Sequence, residues 1–193
     1  MMDPEKILST LLELDALTRL PRMGWFFVGI PDPERVSDHC YQTAVIAYFL
    51  AQSLDDSVDM GKILTMALFH ESGEVRVTDL PRRAKKYIGK SKRQAEEGVI
   101  ADVIGPVAPS LIEILDEFHR CESLEARIVE AAEEFQIILK AFAYARLNQG
   151  QLTEYLSDVE RYDDQEIPLA RKLCDLLQER MKRVITPLQG ELP

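Results

Sequence analysis

From Ser123 to Asn148 the chain follows one unbroken helical pattern, and Gly150 stops it. Ala126, Val129, Ala132, Phe135, Ile137, Ile138, Ala141 and Tyr144 give that helix apolar residues on most of its sides, where a surface helix would show a single stripe. A helix of this kind is stable only when other elements surround it, so it is expected to run through the centre of a bundle. Into that environment fall two adjacent acids, Glu133 and Glu134. The other segments supply the walls. Asp3 and Pro4 are a cap and first-turn pair for a helix to about Leu20, with Ile7, Leu8, Leu11, Leu12, Leu14 and Leu17 at helical spacing. Ser37 is expected to cap a second helix over Asp38 to Ser53, and a third begins near Asp59. Helices follow from Ser91 to before Gly105 and on to about His119, and Gln165 to Val184 form an amphipathic final helix. No stretch alternates as a strand would, and no internal repeat is visible. The expected fold class is all-α, one domain over residues 1–185, with 186–193 as a flexible C-terminal tail.

Composition narrows the function classes. At 193 residues, 46% hydrophobic and 29% charged, the chain has the make-up of one ordinary globular domain. A formal net charge of -10 argues against a nucleic-acid polymer as partner, since the phosphate backbone rewards clustered Lys and Arg. A small phosphorylated ligand needs only a few local cations. The N-terminus lacks the apolar core of a signal peptide and no run is long enough to span a membrane, so a cytoplasmic location is expected. Cys40, Cys121 and Cys174 are odd in number and widely spaced, which suits buried thiols and neither a disulfide framework nor a zinc knuckle.

The chemistry concentrates in Thr65 to Pro81, TMALFHESGEVRVTDLP, where an apolar helix runs into His70, Glu71, Glu74 and Asp79. If the helix continued one more turn, one imidazole and two carboxylates would converge on a common volume, a set suited to a divalent cation. The loop Pro21 to Pro33 carries Arg22 and Trp25, with Trp25, Phe26 and Phe27 read as a plug over the core. His39 lies in the first turn of the second helix. The island PRRAKKYIGK reads as a short helix stopped by Gly89, either a solvated face or the rim of a phosphate site. His119, without a motif partner, reads as a surface or boundary residue.

In their order and spacing, the blocks LPRMGW, PERVSDH, ALFHESGEVRVTDLP and LEARIVEAAEEFQIILKAFAYA resemble the HD-domain phosphohydrolases, within them the bacterial 5'-deoxynucleotidases and their eukaryotic HD-domain relatives. The resemblance implies an HD-type helical bundle that removes the 5'-phosphate from deoxynucleoside monophosphates. It implies a divalent ion (manganese, cobalt, magnesium, zinc or iron) on His39, His70, Glu71 and Glu133, catalytic roles for Glu74 and Asp79, and substrate binding by Arg22 and Trp25. It also implies a homodimer, for which the last helix offers the stripe Leu169, Leu173, Leu176 and Leu177 as interface. This chain departs from the family pattern at both metal-ligating aspartates, which are Glu71 and Glu133. Each carries one extra methylene, roughly 1.3 to 1.5 Å of reach. Glu134 offers an alternative ligand about 100° round the helix. Thr78 replaces the usual glycine ahead of the loop acid, and Gln136, Ala143 and Ala145 replace acids, which reads as drift in the metal's surroundings. The alternative to the enzyme is a catalytically silent HD-fold protein that binds a nucleotide or a protein partner.

Overall fold

The computed structural model describes residues 3–185, and among these no strand forms; an isolated bridge pairs Pro21 with Arg35. The tail expected at 186–193 lies outside the described residues. The helix α1 spans Pro4–Leu14, started by the Asp3 carboxylate accepting the Glu5 N–H at 3.0 Å. It stops short of Leu20 because the chain tightens into a 3-10 turn over Asp15–Thr18, where the Thr18 hydroxyl donates to the Asp15 carbonyl at 2.7 Å. Three of its leucines, Leu8, Leu11 and Leu12, are exposed, while Leu14 at its end packs against a buried cluster. A 3-10 helix over Met23–Val28 carries Trp25 and ends at Gly29, whose φ of 82° suits glycine.

The helix α2 covers Val36–Gln52. Arg35, not Ser37, is its cap residue, because the Asp38 carboxylate accepts the Arg35 N–H at 2.9 Å. After the Asp59 cap, α3 spans Met60–Phe69, and His70 closes it. The segment that follows is broken into α4 (Glu74–Val77), a 3-10 turn over Arg82–Ala84 and α5 (Lys85–Ile88), which stops at Gly89 with φ 57°. Then come α6 (Ser91–Val103), α7 (Pro109–Arg120) and the long α8 (Leu124–Arg146), whose cap Ser123 accepts the Ala126 N–H at 3.2 Å. The short α9 (Thr153–Leu156) and a 3-10 turn over Ser157–Arg161, neither expected from sequence, precede α10 (Pro168–Ile185).

As its pattern requires, α8 is enclosed. Ala131, Ala132 and Ile138 meet Ala47 and Leu50 of α2, Ile63 and Met66 of α3, and Ala170 and Cys174 of α10 in one core. Alanines on the central helix let its neighbours come close, and each buried Leu, Ile or Met adds about 1.5–3 kcal/mol of transfer free energy. The α10 stripe offered as a dimer interface is largely spent here: Leu177 is buried, Leu169 and Leu173 pack on the core, and Leu176 alone of the four is exposed. Two satellite clusters complete the packing. One joins α6 to α7 through Val99, Val103, Leu111 and Leu115; the other sets Trp25, Val28 and Ile30 against Ala141 and Tyr144. Among the described residues no helix is long and apolar enough to cross a membrane.

Candidate active site

Three helices deliver four groups to a common point. The first turn of α2 carries His39, the end of α3 carries His70 followed by Glu71, and the middle of α8 carries Glu133. These four residues offer ligand atoms that all lie within 4.8 Å of one another. The two imidazoles face each other through Nε2, 3.3 Å apart. The His70 Nδ1 lies 2.9 Å from the Ala67 carbonyl, which can only accept, so this nitrogen bears a proton and Nε2 is left with its lone pair. Glu134, the alternative ligand, turns elsewhere and accepts the Asp163 N–H at 3.2 Å.

The same logic fixes His39, through a residue first read as drift. Fully buried Gln136 donates its amide N–H groups to Glu34 Oε2 at 2.8 Å and Gln42 Oε1 at 2.9 Å. Its oxygen must therefore accept from His39 Nδ1, at 2.6 Å. Nε2 of His39 is again left with its lone pair. Two lone pairs can face each other at this distance only with a cation between them or a proton on one ring. Ligands held at about 2.1 Å from one ion in tetrahedral array lie roughly 3.4 Å apart, so the spacing suits a shared metal ion. Without an ion the site takes up a proton: burial opposes charge on His70, but Cys40, Glu133 and Glu71 outweigh it and lift its pKa to about 10. His39 is held well below the ordinary imidazole range by burial, reinforced by Arg22 and His70.

The turn after His70 carries the remaining chemistry. Arg22 reaches in from the loop before α2, with Nη1 2.5 Å from Glu71 Oε1 and 3.2 Å from Asp79 Oδ1. The other Asp79 oxygen accepts the Met23 N–H at 2.5 Å, so Asp79 anchors the arginine loop from both sides. Burial opposes charge on Glu71 and Arg22, yet each holds the other ionised: the Glu71 carboxyl lies well below its usual range and the Arg22 guanidinium above. Glu74 is fully buried, and burial followed by the charge of Glu71 pushes its pKa up to about 9, against the pull of Lys92. Lys92, from α6, lies 2.9 Å from Glu74 Oε1. The backbone between Glu74 and Asp79 is strained, since Thr78 has φ 66° and ψ 164°, a region that suits glycine and not a β-branched residue.

These groups open onto a cavity of about 550 Å³, whose lining includes Arg22, His70, Glu71, Asp79 and Glu133. Trp25 is only 3% exposed and is clamped rather than free: Tyr155 stacks on it at 4.4 Å, Tyr144 meets it edge-on at 5.2 Å, and its indole N–H donates to Glu34 at 2.9 Å. Tyr155, from α9, also lines the cavity and presents the aromatic wall there. His119 stands half-buried in the same lining, its Nδ1 buried without a hydrogen-bond partner. The basic island rims the opening through Arg82, Ile88 and Gly89.

The family described as "HD domain" matches residues 14–182. The chain belongs to this family. It is similar to the 5'-deoxynucleotidase HDDC2 of Dictyostelium discoideum, 31% identical over 139 residues that cover 67% of this chain and 73% of the relative. The human protein of the same name is 29% identical over 168 residues, covering 83% of this chain and 80% of its own. Among solved structures, a conserved hypothetical protein from Pyrococcus furiosus superposes with a TM-score of 0.79 at 32% identity, over 89% of this chain and 99% of the other.

Five residues of this HD domain site were not singled out as functional by sequence. Gln136 gave the wrong impression, because replacement of an acid by an amide reads as loss until its two donors and one acceptor are all seen to be used. Glu34 lay inside the quoted block PERVSDH but carried no signal of its own. Lys92 and Glu96 sit four residues apart on α6, a spacing that looks like a solvent-side ion pair. Tyr155 falls on a helix too short for periodicity to reveal.

Proposed function

We propose that this chain is a metal-dependent phosphohydrolase that removes the 5'-phosphate from nucleoside monophosphates, with the deoxy form preferred. The observation that carries the reading is the inward pair of imidazole lone pairs, 3.3 Å apart, ringed by Glu71 and Glu133 in a cavity that also contains a guanidinium. Relatives named 5'-deoxynucleotidase support the substrate class. His39, His70, Glu71 and Glu133 would hold the ion, and a set of two imidazoles and two carboxylates suits manganese, iron, cobalt or zinc better than magnesium. When bound, a divalent ion there supplies Lewis-acid polarisation and a nucleophile at neutral pH.

The chain's own residues do the rest. Arg22 uses Nη1 on Glu71 and Asp79, and its remaining N–H donors are left to take phosphate oxygens and follow the charge that builds up on them. Asp79 holds that guanidinium and its loop in place. Glu74, next to Glu71, holds its own proton at neutral pH in the metal-free site; with a divalent cation's charge beside it the carboxyl would ionise and be placed to take the proton of the attacking water, a role worth about 10²–10⁴ in rate. Tyr155, backed by Trp25, forms the wall against which the nucleoside lies. Closing the cavity around the phosphate excludes bulk water and strengthens each of these charges. The test is phosphate release from deoxynucleoside 5'-, ribonucleoside 5'- and 3'-monophosphates across Mg, Mn, Co, Zn and Fe. Turnover of 5'-monophosphates lost in Glu74→Gln is the expected result. No release with any ion, together with retained nucleotide binding, overturns the enzyme in favour of the silent binding protein.

A homodimer and a cytoplasmic location belong to the same proposal, as does the absence of a nucleic-acid or membrane partner. With the α10 stripe packed inward, the exposed Tyr41, Val45, Tyr48 and Phe49 on one face of α2 are the better interface for a second copy. Sedimentation as a monomer at micromolar concentration refutes the dimer.

A further inference from the structure

The turn that carries Glu71 and Glu74 faces a second set of carboxylates. Glu71, Glu74 and Glu96 offer oxygen atoms that all lie within 4.8 Å of one another. Glu74 is fully buried; its Oε1 contacts Lys92, and its Oε2, also buried, has no hydrogen-bond partner. Three carboxylates at this spacing make an oxygen-only site of the kind that hard divalent cations occupy. Glu71 belongs to this set and to the set with the two histidines, so the two positions would share a ligand, as in sites where paired ions lie about 3.5–4 Å apart.

A cation is already there. Lys92 Nζ is 2.9 Å from Glu74 Oε1 and 2.9 Å from Glu96 Oε1. The arrangement is rigid, because α6 passes hard against the turn. A side-chain carbon on Gly73 would lie 2.6 Å from Cβ of Glu96 and 2.9 Å from its Cα, so only glycine allows the approach that brings Lys92 and Glu96 to Glu74.

We propose that the Lys92 ammonium occupies the place of a second divalent ion, so that this chain loads one ion where the same carboxylates without the lysine load two. The inference rests on the metal reading of the histidine site and deepens it. Lys92 is then a positioning residue: it pairs with Glu96 and fixes one Glu74 oxygen while the other stays available. A lysine is a single charge on a flexible stem with no coordination demands, so it orients the carboxylate without competing for water as an ion would.

The test is manganese stoichiometry, by calorimetric titration and by elemental analysis after gel filtration, on the full chain. The wild type is expected to hold one ion per chain. Lys92→Ala should hold two, and Lys92→Ala combined with Glu96→Ala should return to one. Lys92→Gln, which keeps helix propensity and a polar head, should also hold two, and it serves if the alanine variant fails to fold. No ion in the wild type overturns the metal reading of the histidine site itself. One ion in the wild type and still one in both lysine variants overturns the assignment of Lys92 and leaves that reading standing, as do two ions in the wild type.

Discussion

Gln136 sets the tautomer of His39, and removing its amide should loosen the metal without touching a ligand. In Gln136→Leu the volume is nearly kept, but His39 Nδ1–H loses its acceptor at 2.6 Å, Glu34 loses a donor at 2.8 Å and Gln42 one at 2.9 Å. Gln42 is partly exposed and can turn to water, and Glu34 keeps the Trp25 indole and Lys140 at 3.3 Å. The main cost is the orphaned imidazole N–H, about 1–3 kcal/mol, with about 1 kcal/mol more for the weakened carboxylate. The sum, about 2–4 kcal/mol, lowers Tm by roughly 4–16 °C for a domain of this size. A ligating histidine that loses its orienting partner costs about 10–100-fold in metal affinity. Gln136→Glu separates the two effects. It still accepts from His39 but sets an anion beside Glu34, so Tm should fall while metal affinity stays near wild type. Differential scanning calorimetry and metal titration read both quantities. A Gln136→Leu protein with wild-type Tm and wild-type metal affinity would show that the amide does not orient His39.

In chelator-treated protein, Glu74 keeps its proton up to about pH 9 when folded but releases it near 4.5 when unfolded, so it contributes stability that is lost as pH rises across that window; Glu74→Gln should flatten the fall of Tm between pH 5 and 9, and an unchanged slope refutes the assignment. Thr78→Gly relieves a strained backbone worth about 1–3 kcal/mol at an entropic cost of about 0.5–1 kcal/mol, so thermal melting should show a net gain of about 1 kcal/mol. Glu71→Asp with Glu133→Asp should lower metal affinity at least tenfold by titration, since the longer Glu71 is the one that Arg22 holds at 2.5 Å; tighter binding in the variant would mean the extra methylenes are a defect. Gly73→Val should destabilise the protein by more than about 2 kcal/mol in denaturant unfolding, because α6 has no room to give way.

What could be read from sequence alone was whatever depends on neighbours three or four residues away. The buried pattern of α8, the cap at Asp3, the helix starts at Asp59 and Ser123, and the stop at Gly89 are local, since a helix is built from contacts one turn apart. The residues proposed to hold the ion were legible because they sit in motif blocks: His39, His70, Glu71 and Glu133 were named from the blocks, and the fold brings their ligand atoms within 4.8 Å. Tertiary structure decided the rest. The leucines of α1 look as apolar as those of α10, yet Leu8, Leu11 and Leu12 are exposed while Leu177 is buried and Leu169 and Leu173 pack on the core, a matter of which face meets another element. Trp25 was read both as a plug and as a nucleotide-facing residue, and its clamp between Tyr144 and Tyr155 makes it the backing of the wall that Tyr155 presents. The identity of Gln136 could be read, but the count of its hydrogen bonds could not, because its partners lie 94 to 102 positions away in the chain. Lys92 and Glu96 could be placed on a helix but not in the site. That placement comes from the missing side chain of Gly73, which lets one helix backbone touch another, a contact that no periodicity encodes.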